Sequence, residues 1–288
     1  MVGFAALEYG AWCLTDREVE GLQHPQHRLR LEEVTPDAGP VPQIDAAQSA
    51  VVLFTSGSTG KAQPNAKSWG RLAAGIRIGM RRFGLDNGRH HLVATVPPQH
   101  MFGLEFTILY PLLGPSTVHA GRPFYPEDVR AALEQVAAPR VLITTPVHLR
   151  ACAAAGLEWA GTDFVISSTA PLASELAQQS EDAFDCPVYE IYGSSETGAV
   201  ARRRTARERL WQLHEGMSII PVEASDDWLL HGPQLETPQA MADRIALHED
   251  GRFEWLGRKA DLVNIAGKRA ALGDLNHRLL AIDGVEDG

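Results

Sequence analysis

Cysteine is scarce: Cys13, Cys152 and Cys186 stand alone in 288 residues, and no two of them form a C-x-x-C pair. Such spacing offers neither a zinc site nor a disulfide framework, and it leads to the expectation of a reducing, cytoplasmic setting. Lysine is nearly as rare, with Lys61, Lys67, Lys259 and Lys268 the only ones, so arginine carries almost all of the positive charge. The net charge is −10 and the pI about 5.5. That balance argues against a nucleic-acid or anionic-membrane surface and favours a small-molecule partner. No apolar run approaches the roughly 20 residues needed to cross a bilayer, so no membrane span is expected. Met1-Val2-Gly3-Phe4 carries no basic flank and meets Glu8 early, unlike a secretory signal. No G-x-G-x-x-G follows a strand-like run, which sets aside a dinucleotide-dependent oxidoreductase.

What is present is a chain that is 44% hydrophobic, enough to bury one large domain or two unequal ones. Thr55-Ser56-Gly57-Ser58-Thr59-Gly60-Lys61 directly follows the apolar run Val51-Val52-Leu53-Phe54. Glycines let the backbone approach an anion and aim N–H groups at it, hydroxyls add neutral donors, and the lysine adds a mobile charge. A strand running into a phosphate-holding loop is therefore expected. A Walker P-loop would need glycine at Thr55 and a hydroxyl at Ala62, and the chain has neither.

Downstream, the periodicity predicts a helix from Ser68 to Phe83, a strand from His91 to Val96 and a helix over Phe124–Val136. A strand over Arg140–Thr144, a helix over Val147–Ala155 and a strand over Phe164–Ser167 follow. Strands alternating with helices indicate a parallel sheet whose ligands sit at the C-terminal strand ends, the phosphate loop among them. Ser168-Thr169-Ala170-Pro171-Leu172 and Tyr192-Gly193-Ser194-Ser195-Glu196-Thr197-Gly198 also follow strands. Tyr192 offers a flat face for adenine, Ser195 a donor for the α-phosphate, and Glu196 a hard oxygen ligand for Mg²⁺. Short strands are expected over 217–222 and 227–233, and Asp243 with Arg258 makes a sensible ribose clamp. His24 and His27 flank Pro25 and are read as solvated loop residues, and the Arg202–Arg204 run with Arg207 as a solvated face.

Several of these stretches resemble the adenylate-forming superfamily, which includes acyl- and aryl-CoA synthetases, peptide-synthetase adenylation domains and luciferases. Thr55–Gly60 is similar to its T-S-G-[ST]-T-G-x-P-K loop, with Ala62 and Gln63 where the pattern has proline and lysine. Tyr192–Gly198 resembles Y-G-x-[ST]-E-T-G, Ser168–Leu172 resembles G-G-A-P-L, and Met241-Ala242-Asp243 stands where the family has T-G-D. Pro97–Gly103 resembles P-x-x-H-x-x-G, which places His100 near the substrate carboxylate. Gly257–Arg269 is similar to the hinge segment G-R-x-[DK]-D-x-[IV]-K-x-x-G-x-R, with Ala260 at the hinge position and Asn264 in place of the lysine.

The resemblance implies an α/β fold: parallel sheet layers covered by helices plus a small β-barrel-like subdomain, the core of the large domain of such an enzyme. It implies ATP and Mg²⁺ as cofactors, an aryl or fatty carboxylic acid as substrate, and CoA or an acyl carrier protein as acceptor. Ser195, Glu196 and His100 are the implied catalytic residues, with Glu196 on the metal. Thr55, Ser56, Gly57, Ser58, Thr59, Gly60, Lys61, Ser168, Thr169, Ala170, Tyr192, Asp243 and Arg258 are the implied nucleotide-binding residues. Four segments are expected: residues 1–50 as a remnant of an N-terminal subdomain, 51–205 as the nucleotide- and acid-binding subdomain, 206–256 as the small β subdomain, and 257–288 as the hinge and a stub. Complete members carry a mobile C-terminal domain that delivers a lysine, and no lysine follows Lys268 here. Two alternatives stay open: an AMP-forming carboxylate ligase impaired by that lack, or a non-catalytic nucleotide- or acyl-adenylate-binding remnant that docks with a partner.

Overall fold

The computed structural model describes residues 13–15, 26–28, 43–56, 62–223, 225, 227–259, 262–265 and 268–271. The chain divides into two compact units, Met1–Trp69 and Gly70–Gly288.

In the first unit, β1 (Cys13–Thr15) pairs in parallel with β2 (Gln26–Arg28). Strand β3 (Ser49–Ser56) pairs antiparallel with β4 (Ala62–Ser68), which sets Thr55 opposite Gln63 and Ser56 opposite Ala62. This corrects the expectation that the phosphate loop follows a parallel strand. Two extended segments separated by a short, glycine-containing connection pair locally as an antiparallel hairpin, with no helical crossover to make them parallel. The centre of that loop, Gly57 to Lys61, lies outside the described residues.

The second unit opens with α1 (Trp69–Phe83), whose apolar stripe buries Leu72, Ile76 and Met80. Then come β5 (His91–Ala94), α2 (Met101–Leu104), a π-helical turn over Glu105–Leu109, α3 (Tyr110–Leu113), β6 (Thr117–Val118) and α4 (Pro126–Gln135). They are followed by β7 (Arg140–Thr144), α5 (Pro146–Ala154), β8 (Phe164–Ser167), α6 (Ser174–Phe184), β9 (Val188–Ser194), β10 (Gly198–Arg203) and β11 (Gln212–Leu213). Pro126 and Pro146 start α4 and α5 at a position where the missing N–H costs nothing.

These strands form one seven-stranded sheet in the order β11-β10-β9-β8-β7-β5-β6, parallel from β6 to β9 and antiparallel at β10 and β11. Val93, Leu142, Val165 and Val188 pack one sheet face against Leu133, Leu149 and Phe184 of α4, α5 and α6. Strand alternation turns Phe164 and Tyr189 to the opposite face, where both rings meet Phe83 of α1. The alternation of elements read from the sequence therefore corresponds to an α/β sheet covered by helices.

Beyond the sheet, β12 (Ser218–Pro221), β13 (Trp228–His231) and β14 (Gln239–Ala240) make a three-stranded sheet. Strands β15 (Asp243–Leu247) and β16 (Phe253–Arg258) form a hairpin, as do β17 (Leu262–Ile265) and β18 (Lys268–Ala271). Val200, Trp211, Leu230, Ile245 and Phe253 form the second core, joining β10 to these smaller sheets.

Arg202, Arg203 and Arg204 are not a solvated face, whereas Arg207 is exposed. Arg203 pairs with the buried Glu190 at 2.8 Å, Arg204 makes a bidentate pair with Glu181 at 2.7 and 2.8 Å, and the Arg202 guanidinium stacks over Phe83 and Tyr189. Charge density in the sequence is the same for a solvated and an internally paired arginine, so only the facing carboxylates decide between them. Burial alone would raise the Glu181 carboxyl, but Arg204 and the Val188 N–H hold it below the usual range.

His214 is 2% exposed, and burial, followed by the charges of Arg82 and Arg202, pushes its imidazole down to about 3. The unfolded chain takes up a proton near the ordinary 6.5 that the folded chain refuses. Stability contributed by neutral His214 is therefore complete above 6.5 and is lost as the pH falls toward 3. At pH 5 the loss is about 2 kcal/mol. Urea denaturation at pH 7 and pH 5 is expected to show that much more acid destabilisation in the wild type than in His214→Gln.

Candidate functional site

The C-terminal ends of β5, β7, β8 and β9 surround a cavity of about 430 Å³. His100, Glu105, Thr145, Ser168, Thr169 and Ser195 line it together with apolar side chains such as Phe102 and Ile191. Thr145, Ser168, Thr169 and Ser195 reach the cavity because β7, β8 and β9 have just ended, whereas His100 precedes α2 and Glu105 comes from the π-helical turn. Ser168 shows how such a loop is held: its N–H donates to Thr144 O at 3.3 Å and its hydroxyl to Ile191 O at 3.2 Å, tying β7, β8 and β9. Thr169 adopts φ +81°, a left-handed conformation that a β-branched residue occupies only under strain of about 1–3 kcal/mol. Glycine in the matching motif position removes that strain. Ala170 lies beside it, exposed and outside the cavity lining.

Ser195 and the half-buried Glu196 sit on the turn from β9 to β10. The turn is closed internally by Ser194 N–H donating to Thr197 Oγ1 at 3.0 Å and by Thr197 N–H donating to Ser194 Oγ at 3.3 Å. Gly198 ends it at φ +67°, a backbone state that favours glycine.

Further back along β9, the Tyr192 hydroxyl donates to Asp243 Oδ2 at 2.5 Å. Burial and the adjacent Asp243 carboxylate push the phenol far above its ordinary range, so it stays protonated and remains a donor. The Tyr192 ring is edged by Trp211 and Phe253 at 5.5 and 5.3 Å. Asp243 Oδ1 is buried and has no hydrogen-bond partner among the described residues. Arg258 is the Cα partner of Asp243 across the β15–β16 hairpin. Lys259, next to Arg258, donates its N–H to Ala242 O at 3.0 Å and its ammonium to Met241 O at 2.8 Å and Asp227 Oδ1 at 2.6 Å.

His100, Ser168, Thr169 and Ser195 thus meet in one cavity, while Tyr192, Asp243 and Arg258 gather beside β9. Thr55 and Ser56 end β3 in the other unit, and the rest of that loop lies outside the described residues, as do Ala260 and Asp261 of the hinge. Glu105, Thr145 and Gln234 were not anticipated. Glu105 is only 6% exposed, and its one sequence signal is a lone carboxylate interrupting the apolar run Met101–Tyr110. Thr145 follows a strand just ahead of a proline, and Gln234 follows a glycine–proline turn; neither position has a pattern of its own.

A family model described as "AMP-binding enzyme" matches residues 10–223. The 4-coumarate–CoA ligase of Rhodobacter capsulatus is 28% identical over 83% of this chain and 60% of its own length. That of Halorhodospira halophila is 27% identical over 82% and 58%. The chain therefore spans less than two thirds of the length of these curated relatives. Among solved structures, ATP-bound MatB from Rhodopseudomonas palustris is similar with a TM-score of 0.73 at 18% identity, covering 87% of this chain and 56% of that one. MenE from Bacillus subtilis in complex with AMP reaches 0.74 at 16% identity, covering 96% and 64%. At such identities these two structures establish the shared fold.

Proposed function

Since the chain belongs to the AMP-binding enzyme family, whose model covers most of it, we propose that it forms the nucleotide- and acid-binding core of an AMP-forming carboxylate ligase. The observation that carries the reading is the run of β9. One strand bears Tyr192, in its part-buried bond with Asp243 of β15, and, past its end, the Ser195–Glu196 turn at the mouth of the cavity. A nucleotide lying along that strand has its ribose at Asp243 and Arg258, its adenine beside Tyr192, and its α-phosphate at Ser195, Ser168 and Thr169. The loop Thr55–Lys61, with Gly57, Ser58, Thr59 and Gly60 between, is a proposed phosphate-binding segment on its resemblance to the family's signature loop alone. His100 lies where the acid's carboxylate enters.

In the proposed reaction a carboxylate oxygen attacks the α-phosphorus, the P–O bond to pyrophosphate breaks, and the acyl-AMP formed then passes its acyl group to a thiol of CoA or a carrier protein with release of AMP. Catalysis of this kind rests on positioning and on donors aimed at developing charge. Glu196 is the proposed Mg²⁺ ligand. It shares its turn with Ser194, Ser195 and Thr197, and Mg²⁺ takes only one or two protein carboxylates, the remaining positions being phosphate and water. Among the described residues no group of three His, Cys, Asp or Glu could cage a metal without the nucleotide. Mg²⁺ supplies neutralisation of charge on the triphosphate. The cavity lining, largely apolar with no lysine or arginine among the described residues, favours an aryl or fatty monocarboxylic acid.

Calorimetric titration with adenosine, AMP and Mg·ATP, together with acid-dependent pyrophosphate release over a panel of aryl and fatty acids, tests the reading. All three ligands are expected to bind, and Glu196→Ala to weaken Mg·ATP about tenfold or more while leaving adenosine within twofold. Binding without pyrophosphate release would assign the chain a nucleotide-holding role in place of turnover. No binding of any of the three would refute the nucleotide site.

A further inference from the structure

We propose that Gln234 is the positioning residue for the turn that presents Ser195 and Glu196, an inference that rests on the nucleotide-site reading above. The turn's internal bonds between Ser194 and Thr197 set its own shape but leave its tilt on the sheet undetermined. The β9–β10 ladder is itself irregular here, with a register shift between Ala199 and Ala201, and a bulge leaves main-chain groups in need of partners.

Gln234 supplies them. Its Nε2 donates to Thr197 O at 2.8 Å and to Ala199 O at 2.9 Å, gripping the main chain on both sides of Gly198. Both acceptors are carbonyls, so the amide can sit only with its NH₂ toward the turn. The side chain is 8% exposed, which shields the two bonds from water. Glu105 Oε1 also accepts from Ala199 N at 3.3 Å, and a Cβ on Gly198 would stand 2.8 Å from that oxygen and 3.7 Å from Gln234 Nε2. The turn is thus held by both the π-helical wall of the cavity and the segment that follows β13.

Gln234 is held in turn by α1. Arg71 Nη1 donates to Pro233 O at 2.8 Å. Gly75 leaves the space Gln234 needs, since a Cβ there would come within 3.1 Å of Gln234 Cβ and 3.3 Å of Oε1. The register of the signature turn is therefore set by a residue remote from it in sequence that touches no proposed ligand.

A positioning role and a packing role differ in what they move. Ser195 and Glu196 face the phosphates and Mg²⁺, whereas adenosine meets Tyr192, Asp243 and Arg258 on β9 and the β15–β16 hairpin. Gln234→Met keeps length and volume but removes both donors, and Gln234→Asn keeps the amide but falls one methylene short. Calorimetry with Mg·ATP and with adenosine is expected to show Mg·ATP weakened about tenfold or more in Gln234→Met and less in Gln234→Asn, with adenosine affinity within twofold of wild type in both. Equal weakening of both ligands, or of neither, in variants that melt cooperatively overturns the proposal and leaves Gln234 a packing residue. If Gln234→Met fails to fold, the same comparison on Gln234→Asn decides. Failure of the wild type to bind adenosine would instead sink the nucleotide-site reading, and this inference with it.

Discussion

Asp243→Ala is expected to weaken adenosine binding about a hundredfold, as measured by calorimetry. The two carboxylate oxygens have different surroundings. Oδ2 accepts from the Tyr192 hydroxyl at 2.5 Å, while Oδ1 is buried with no partner among the described residues. A buried carboxylate oxygen without a donor is costly. A vicinal diol brings two donors at the spacing of one carboxylate, which makes ribose a fitting complement. Hydrogen bonds to a charged group contribute about 1.5–3 kcal/mol each, so losing two of them corresponds to at least roughly the stated factor. Tyr192→Phe is the control, because it removes the same hydroxyl contact and keeps the carboxylate. It is expected to cost less than about fivefold. If Tyr192→Phe and Asp243→Ala weaken adenosine equally, Asp243 serves only to hold the tyrosine and the diol clamp is wrong.

The largest stability effect is expected at Glu190, which is 3% exposed at the centre of β9. Its Oε2 accepts from Arg203 and from the Thr205 hydroxyl at 2.8 Å each, and its Oε1 accepts from Leu172 N at 2.8 Å. Removing the carboxylate leaves the largely desolvated guanidinium of Arg203, a buried hydroxyl and a buried N–H without that acceptor. Breaking such a pair from one side costs about 3–5 kcal/mol, and urea denaturation of Glu190→Ala at pH 7 should show a loss in that range. Arg203 also donates to Arg209 O at 3.1 Å and stacks on Trp211 at 4.3 Å, so it cannot swing out to water without losing those contacts. Glu190→Leu combined with Arg203→Met is expected to cost less than the sum of the single changes, because no charge is then left unpaired. An additive result would mean that the pair contributes only its packing. Leu172 closes the Ser168–Pro171 turn, so Glu190→Ala should also loosen that wall of the cavity.

Local signals were legible wherever one side chain and its neighbours in sequence suffice. The apolar stripe of α1, the run of β7, and the prolines that start α4 and α5 each specify their element through periodicity or a fixed φ. The loop compositions at Ser168–Ala170 and Tyr192–Gly198 likewise marked turns at strand ends, since short hydroxyl side chains and glycine favour turns. By itself, then, the sequence determined the α/β alternation, the motif positions and the family to which the chain belongs.

The tertiary structure alone decided what faces what. It made β3 one arm of an antiparallel hairpin, turned the arginine run inward onto Glu181 and Glu190, and set Gln234 and Glu105 against a turn they do not adjoin in the chain. The reason is physical: hydrophobic periodicity is a property of one segment, whereas the partner of a buried charge, amide or carbonyl is fixed only when distant segments close around it and exclude water.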